Sequence, residues 1–400
     1  MNSKVNNKIE GLRDQTWIVL RRLRILWAVY LIVLLLSFGL FAFCTSYAFY
    51  NLWRSFRWGV EIPGYLLWGP LWGAILLGIY FVFVLRPLIS IFRIRFDAEE
   101  KLERIDNKAL FDLIAETGTM LSEQLGSKAA DLFSSETDVL VDNDCFVTYH
   151  YRKFSDCLWG RKMVLSIGLP GIMSMNKSEF KAFLTRALAI RDDVSSRIGL
   201  LANYSLLAFV KYDQFLFDGS FSNYGLLKKI SWLFAYLAMV FLASHVNKLT
   251  DEVEELSIYF DLFRDNVSAW ISGKDACIYS IVKNDYLTDK WAEFYVKMKD
   301  IGRDEGIAPQ NVIQAFGEFA YGSESTGDVD AVPEGREYLK ERVDLILLDS
   351  LADESAEEEM DEMPALSLFD PAIVQKVFNS TPDEISRKCL GNRKLVRKIT

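Results

Sequence analysis

The chain has 400 residues, 51% of them hydrophobic and 14% aromatic, with a mean hydropathy of +0.11 and a formal charge of −9. That length is ample for a large core, the apolar content is high for a wholly soluble protein, and nothing in the charge pattern points to nucleic acid. Five cysteines (Cys44, Cys145, Cys157, Cys277, Cys389) without Cys-x-x-Cys spacing fit a reducing compartment without structural disulfides.

Residues 1–24 read as a basic tail carrying Lys4, Lys8, Arg13, Arg21, Arg22 and Arg24. Ile25–Thr45 and Tyr65–Leu85 are each 21 residues without a charge, long enough to cross about 30 Å of hydrocarbon as helices. They define a transmembrane hairpin over 25–86. The first span runs on into Tyr47, Phe49, Tyr50 and Trp53, an interfacial aromatic belt rather than a cleavage site, so retention is expected. Arg86, Arg93 and Arg95 follow the second span, whereas the connecting loop has only Arg54 and Arg57. The positive-inside rule then puts both termini and the main body in the cytoplasm. An integral protein of a bacterial inner (plasma) membrane is the expected location.

Beyond the hairpin, apolar residues at helical spacing predict a helix from Asp97 to about Gly126, leading from the membrane into a body over 87–348. Asp138–Tyr151 and Lys162–Gly168, rich in Val, Ile and aromatics, predict strands of a small sheet. Asn176 or Ser178 caps a helix with Glu179 in its first turn. Ile198–Val210 and Ile230–Val246 are shorter apolar stretches, expected as a membrane-proximal hairpin over 198–246. Helices are predicted over 251–272, 275–284, 289–299, 309–321 and 336–350, with a Gly/Ser/Asp-rich loop at 322–335. An acidic linker at 349–364 and a C-terminal helical segment with a basic tail at 365–400 complete the chain. Asp349–Glu362 holds eight carboxylates and no base, and Arg387–Lys398 six bases and no acid. Solvated linker and tail are the preferred readings, with contact between the basic end and anionic lipid headgroups as the sharper one. The fold class is mainly α (α+β).

One stretch carries more information. Leu165–Ile190 reads as a strand ending in Gly168-Leu169-Pro170, a turn, then Ser178-Glu179-Phe180-Lys181-Ala182-Phe183-Leu184 opening a helix. This resembles the approach to the H-E-x-x-H motif in the membrane-bound zinc metallopeptidases of the HtpX and CAAX-prenyl-protease type. A second family element, with the sense "EyeAD..A..l.G", is similar to Asp261–Gly273, where Asp261, Asp265, Ala269 and Gly273 fall on family positions. Arg336–Leu345, with Leu339, Glu341 and Arg342, vaguely resembles a later "hP....Ri..l" element without its His-Pro. The resemblance implies a zincin-like body and covers roughly 97–345.

It also implies what the chain lacks. Family zinc is held by two histidines one helical turn apart, while the Glu between them activates the metal-bound water. Those positions are Arg186, Ala187 and Ile190, and the third-ligand position is Asp261. Catalytic residues, metal and cofactor are therefore all expected to be absent, with zinc lost. Losing the metal would leave an unpaired carboxylate, and Arg186 is expected to bridge to Asp261 or Asp265 in place of Zn²⁺. An Arg186 pointing to solvent is the competing expectation.

No other residues supply a hydrolase mechanism. His150 and His245 lack partners at ligand spacing, Gly-x-Ser-x-Gly is absent, and Cys145 or Cys157 near His150 is explained equally well by strand packing. The leading expectation is a membrane-anchored pseudopeptidase. Its partners would be the bilayer and either a membrane or unfolded polypeptide or an active paralogue, with no nucleic acid. A metalloendopeptidase with unconventional ligands and a membrane scaffold unrelated to peptidases stay open as alternatives.

Overall fold

The computed structural model describes residues 3–59, 61–94, 100–125, 138–142, 145–159, 163–189, 194–217, 226–305, 307–309, 312–322, 336–348, 360–374 and 397–399. The chain is mainly helical, with a small sheet and two long apolar N-terminal helices. Helix α1 (Ser3–Trp58) and helix α2 (Gly64–Arg93) form the hairpin, and both are long and apolar enough to cross a membrane. Asn51 Nδ2 donates to the Leu66 carbonyl at 2.9 Å and ties the two helices together near the turn. At 1.5 Å per residue α1 is about 84 Å long, far more than a bilayer needs.

The first correction follows from that length. Residues 1–24 were expected as a tail, but from Ser3 they belong to α1, and Leu12, Val19 and Leu23 are buried. Their apolar spacing continues the stripe of the first span, so the helix continues with it.

After α2 come strand β1 (Glu100–Lys101) and helix α3 (Lys108–Leu125). The helix expected from Asp97 therefore starts later, with the chain first adding an edge to the sheet. Strands β2 (Asp138–Asp142), β3 (Val147–His150) and β4 (Val164–Gly168) complete a four-stranded sheet in the order β1-β2-β4-β3. β2 and β4 are parallel and β3 and β4 antiparallel, with Thr148 opposite Ser166. All five residues of β4 are buried, as the central strand of a covered sheet requires. Between β3 and β4 lies the short helix α4 (Phe154–Trp159).

β4 runs directly into a single helical turn, α5 (Leu169–Ile172), and then into α6 (Lys177–Leu188). Gly171 is required here: a Cβ would collide with the backbone carbonyl of Cys145. Asn176 caps α6 by a reciprocal pair of bonds, accepting from Glu179 N at 2.8 Å while Glu179 Oε2 accepts from Asn176 N at 2.9 Å. Nine of the twelve residues of α6 are buried. It crosses the centre of the body, packed by α3 and by the later long helices.

Helix α7 (Val194–Phe217) and helix α8 (Leu226–Ser272) return along the hairpin. The expected breaks at 246–251 and at 284–289 do not occur, because α8 is one continuous helix and so is α9 (Lys274–Glu305). The charges that interrupt the apolar pattern, Lys248 and Glu254 among them, lie on an exposed face while Leu249, Leu256 and Phe260 keep the buried stripe going. Helices α7 and α8 pack against α1 and α2 around Tyr30, Phe209 and Leu242. Trp27, Tyr30 and Phe209 meet with centroids 5.4 to 5.8 Å apart, and Trp27 Nε1 donates to Ser205 Oγ at 3.0 Å. At Pro87, where α2 loses a ladder donor, the Tyr30 hydroxyl donates to Val84 O and accepts from Leu88 N.

Strand β5 (Ile307–Pro309), helix α10 (Val312–Gly322) and helix α11 (Glu337–Leu348) follow. A 3₁₀ turn at Ala365–Leu368 inserts Ala365, Leu368 and Phe369 into the main core, and strand β6 (Arg397–Ile399) pairs with β5 in parallel. Asp361 accepts from Lys177 at 2.8 Å, so the end of the acidic stretch is anchored on the first turn of α6 instead of being fully solvated. Apart from Gly322, which ends α10, the Gly/Ser/Asp-rich 322–335 loop lies outside the described residues, as do most of the acidic linker and most of the expected C-terminal helix.

Candidate functional site

The C-terminal turn of α6 faces the second half of α8, and α11 packs against α8 and α9. Arg186 on α6 donates from Nε to Asp265 Oδ1 at 2.6 Å and lies 3.9 Å from Asp261 Oδ1. Asp265, 1% exposed, is also gripped from α11: Arg342 Nε donates to Oδ2 at 2.8 Å and Nη2 to Oδ1 at 2.9 Å. Both carboxylate oxygens are thus taken by guanidinium donors from two different helices. Burial alone would lower the Arg342 pKa, but Asp265 and Asp261 outweigh it and hold the group above its ordinary value.

Asp261 is held more loosely. Arg264 Nη1 reaches its Oδ1 at 3.4 Å and the Tyr338 hydroxyl its Oδ2 at 3.4 Å. Burial, with Asp261 next in effect, pushes the Tyr338 hydroxyl pKa up. Beneath the ion pairs α6 and α8 touch through small groups. Ser268 Oγ donates to the Ala182 carbonyl at 2.8 Å, Thr185 and Ser272 hydroxyls lie 3.2 Å apart, and Ala182 and Ala269 share a core cluster. The close approach is what lets a side chain from one helix span to the carboxylates of the other.

The structure therefore brings Arg186, Asp261 and Asp265 together. Ala187 is buried one residue along, and Ile190 lies outside the described residues. Arg342 and Arg264 are the partners that sequence reasoning missed. Arg342 sat in the weak "Ri" resemblance, and Arg264 was a spacer residue between the two aspartates.

Arg186, Asp261, Arg264 and Arg342 of this cluster line a cleft of about 990 Å³. Its walls come from β3, from α6 and α7, and from α8 and α9, with Phe183, Tyr149, Leu200 and Phe260 supplying apolar surface. β3 is the outer strand of its sheet and forms part of the wall, with Thr148 exposed between buried Val147 and Tyr149. Asp142 and Ser166, hydrogen-bonded to each other, also reach the cleft.

His150 ends β3 beside Thr148, its Nδ1 3.2 Å from the Thr148 hydroxyl. Burial and then Arg152 push its pKa down to about 4, against a smaller upward pull from Thr148, so the ring is neutral at ordinary pH. His245 lies on α8 against Phe241. Cys145 and Cys157 are buried, and burial pushes Cys157 up to about 12, so its thiol is no nucleophile. Among the described residues, no three His, Cys, Asp or Glu side chains gather as a metal would need. No protein-family model matches the chain, and neither a curated protein nor a solved structure does.

Proposed function

We propose that the chain is a membrane-anchored, non-catalytic body of zincin-like ancestry that holds an extended polypeptide in its cleft. The observation that carries this is the cleft itself. It combines an outer strand, apolar walls and an ion-paired floor at the point where the resemblance puts a metal. An outer strand offers backbone donors and acceptors to an added strand, which gives affinity with little dependence on side chains. Alternate residues of the guest would then meet the apolar walls.

The floor does not suit zinc. The Asp265 carboxylate already accepts three bonds from Arg186 and Arg342, and the guanidinium at 186, where the resemblance puts a histidine, cannot act as a ligand. The order strand, turn, capped helix, returning helical pair and acidic helix also supports the ancestry. The two apolar helices anchor the body to a membrane. The basic residues at their inner ends favour a cytoplasmic body.

The experiment uses the purified full chain in detergent. Metal analysis should give no stoichiometric zinc and a casein digest no cleavage. A photo-crosslinking residue at Thr148 should capture an extended peptide, with capture competed by the same peptide unlabelled. Stoichiometric zinc with turnover, or no capture at any peptide concentration that saturates ordinary chaperone sites, would sink the reading.

A further inference from the structure

The floor of the cleft has one guanidinium too many. Among the described residues the ion pairs of Arg186, Arg264 and Arg342 go to Asp261 and Asp265, and both oxygens of Asp265 are engaged by Arg186 and Arg342. Arg264 is left with a single long bond to Asp261, shared with Arg186 and with Tyr338. Its Nε is buried and has no hydrogen-bond partner, while 27% of the side chain opens onto the cleft. Phe260 lies under the guanidinium, 5.4 Å from ring centroid to Cζ, which fixes its plane. A partly buried guanidinium held by one long bond is short of acceptors, so the part of it open to the cleft gains when an oxyanion arrives. Consistent with that shortage, burial pushes the Arg264 pKa down to about 10 despite the nearby aspartates, and Arg186 and Arg342 add to the drop.

We propose that Arg264 makes the cleft floor a carboxylate-binding site, and that the segment held along β3 is one presenting a carboxylate there. The inference rests on the polypeptide-holding reading for its location and adds a chemical preference to it. A carboxylate matches the fork geometry of a guanidinium, and its charge brings the three cations and two anions of the floor to neutrality. The carboxylate could come from an acidic side chain or from a chain terminus, and the two are separable by experiment.

The full chain in detergent is titrated with fluorescent extended peptides, blocked at both ends, that carry a central Glu or a central Gln. A third peptide carries Gln and a free C-terminus. In parallel, melting temperature is followed in sodium acetate and in sodium chloride at matched ionic strength. The Glu peptide should bind about tenfold or more tightly than the Gln peptide. That preference should vanish in Arg264→Met and survive in part in Arg264→Lys. Acetate should raise the melting temperature of the native chain over chloride and leave Arg264→Met unmoved. If the free-terminus peptide matches the Glu peptide, the preference includes a terminal carboxylate; if only the Glu peptide gains, it is for a side chain.

Equal binding of Glu and Gln peptides together with no acetate effect overturns the carboxylate site and leaves the polypeptide reading standing. Absence of all peptide binding, with an acetate effect that needs Arg264, retains the site and removes the polypeptide reading.

Discussion

Helix α8 is fastened at both ends, and the two fastenings differ in kind. In its N-terminal half it lies among α1, α2 and α7 through apolar and aromatic side chains, with Trp27, Tyr30 and Phe209 interlocked and few polar links. In the body it is held through Asp261 and Asp265 to arginines of α6 and α11. Apolar packing tolerates adjustment because no single contact is indispensable. The charged fastening does not, because every buried carboxylate and guanidinium removed strands its partner. The same helix thus has a forgiving end and an exacting one.

The largest break in that comparison is expected from Asp265→Ala. It leaves Arg186 and Arg342 buried without their anion and should cost about 3–5 kcal/mol of stability by denaturant titration in detergent. A change under about 1 kcal/mol would mean the pairs are not buried together in solution. Next comes the glycine contrast. Gly171→Ala drives a methyl into the Cys145 backbone and should cost about 1–3 kcal/mol. Gly39→Ala and Gly69→Ala, whose added Cβ would meet nothing within 4 Å, should gain up to about 1 kcal/mol by helix propensity. Loss of stability at Gly39 comparable to that at Gly171 would erase the distinction between the two ends.

A double-mutant cycle on Arg186→Met and Asp265→Asn sharpens the comparison. The two positions should couple by about 0.5–3 kcal/mol, and Trp27→Phe with Asp265→Asn should be additive within about 0.5 kcal/mol. The last effect belongs to His150 and is read as a slope in pH. Its folded pKa of about 4 lies below the unfolded value of 6.5, so the unfolded chain takes up the proton first. Stability is then complete above about pH 6.5 and lost as pH falls toward 4, by at most about 1.4 kcal/mol per pH unit. His150→Asn should flatten that slope, and an unchanged acid limb would assign the loss to carboxylates instead.

How much of this was legible beforehand follows the range of each signal. The capped start of α6 is written locally in Asn176 and Glu179, and the strands in runs of Val and Ile, so both could be read directly. The two apolar helices were legible from uninterrupted apolar length. Arg186, Asp261 and Asp265 could be named because a resemblance placed them on facing helices. Arg342 could not be assigned, since its partner lies 77 residues earlier and no local pattern announces a contact of that range. Arg264 reads in sequence as one more helix-surface charge; only the tertiary fold encloses its Nε. The continuity of α8 was missed for the opposite reason. Charges at 248–255 look like a boundary until the helix is long enough for one face to stay apolar while another is wet.

That continuity has a mechanical side. Leu226–Ser272 contains neither glycine nor proline, so the 47 residues form a stiff shaft with no built-in joint. A turn or tilt imposed on it among the neighbouring helices at one end arrives at Asp261, Arg264 and Asp265 at the other. The shape of the cleft and the packing of α8 among α1, α2 and α7 are, to that extent, one coordinate.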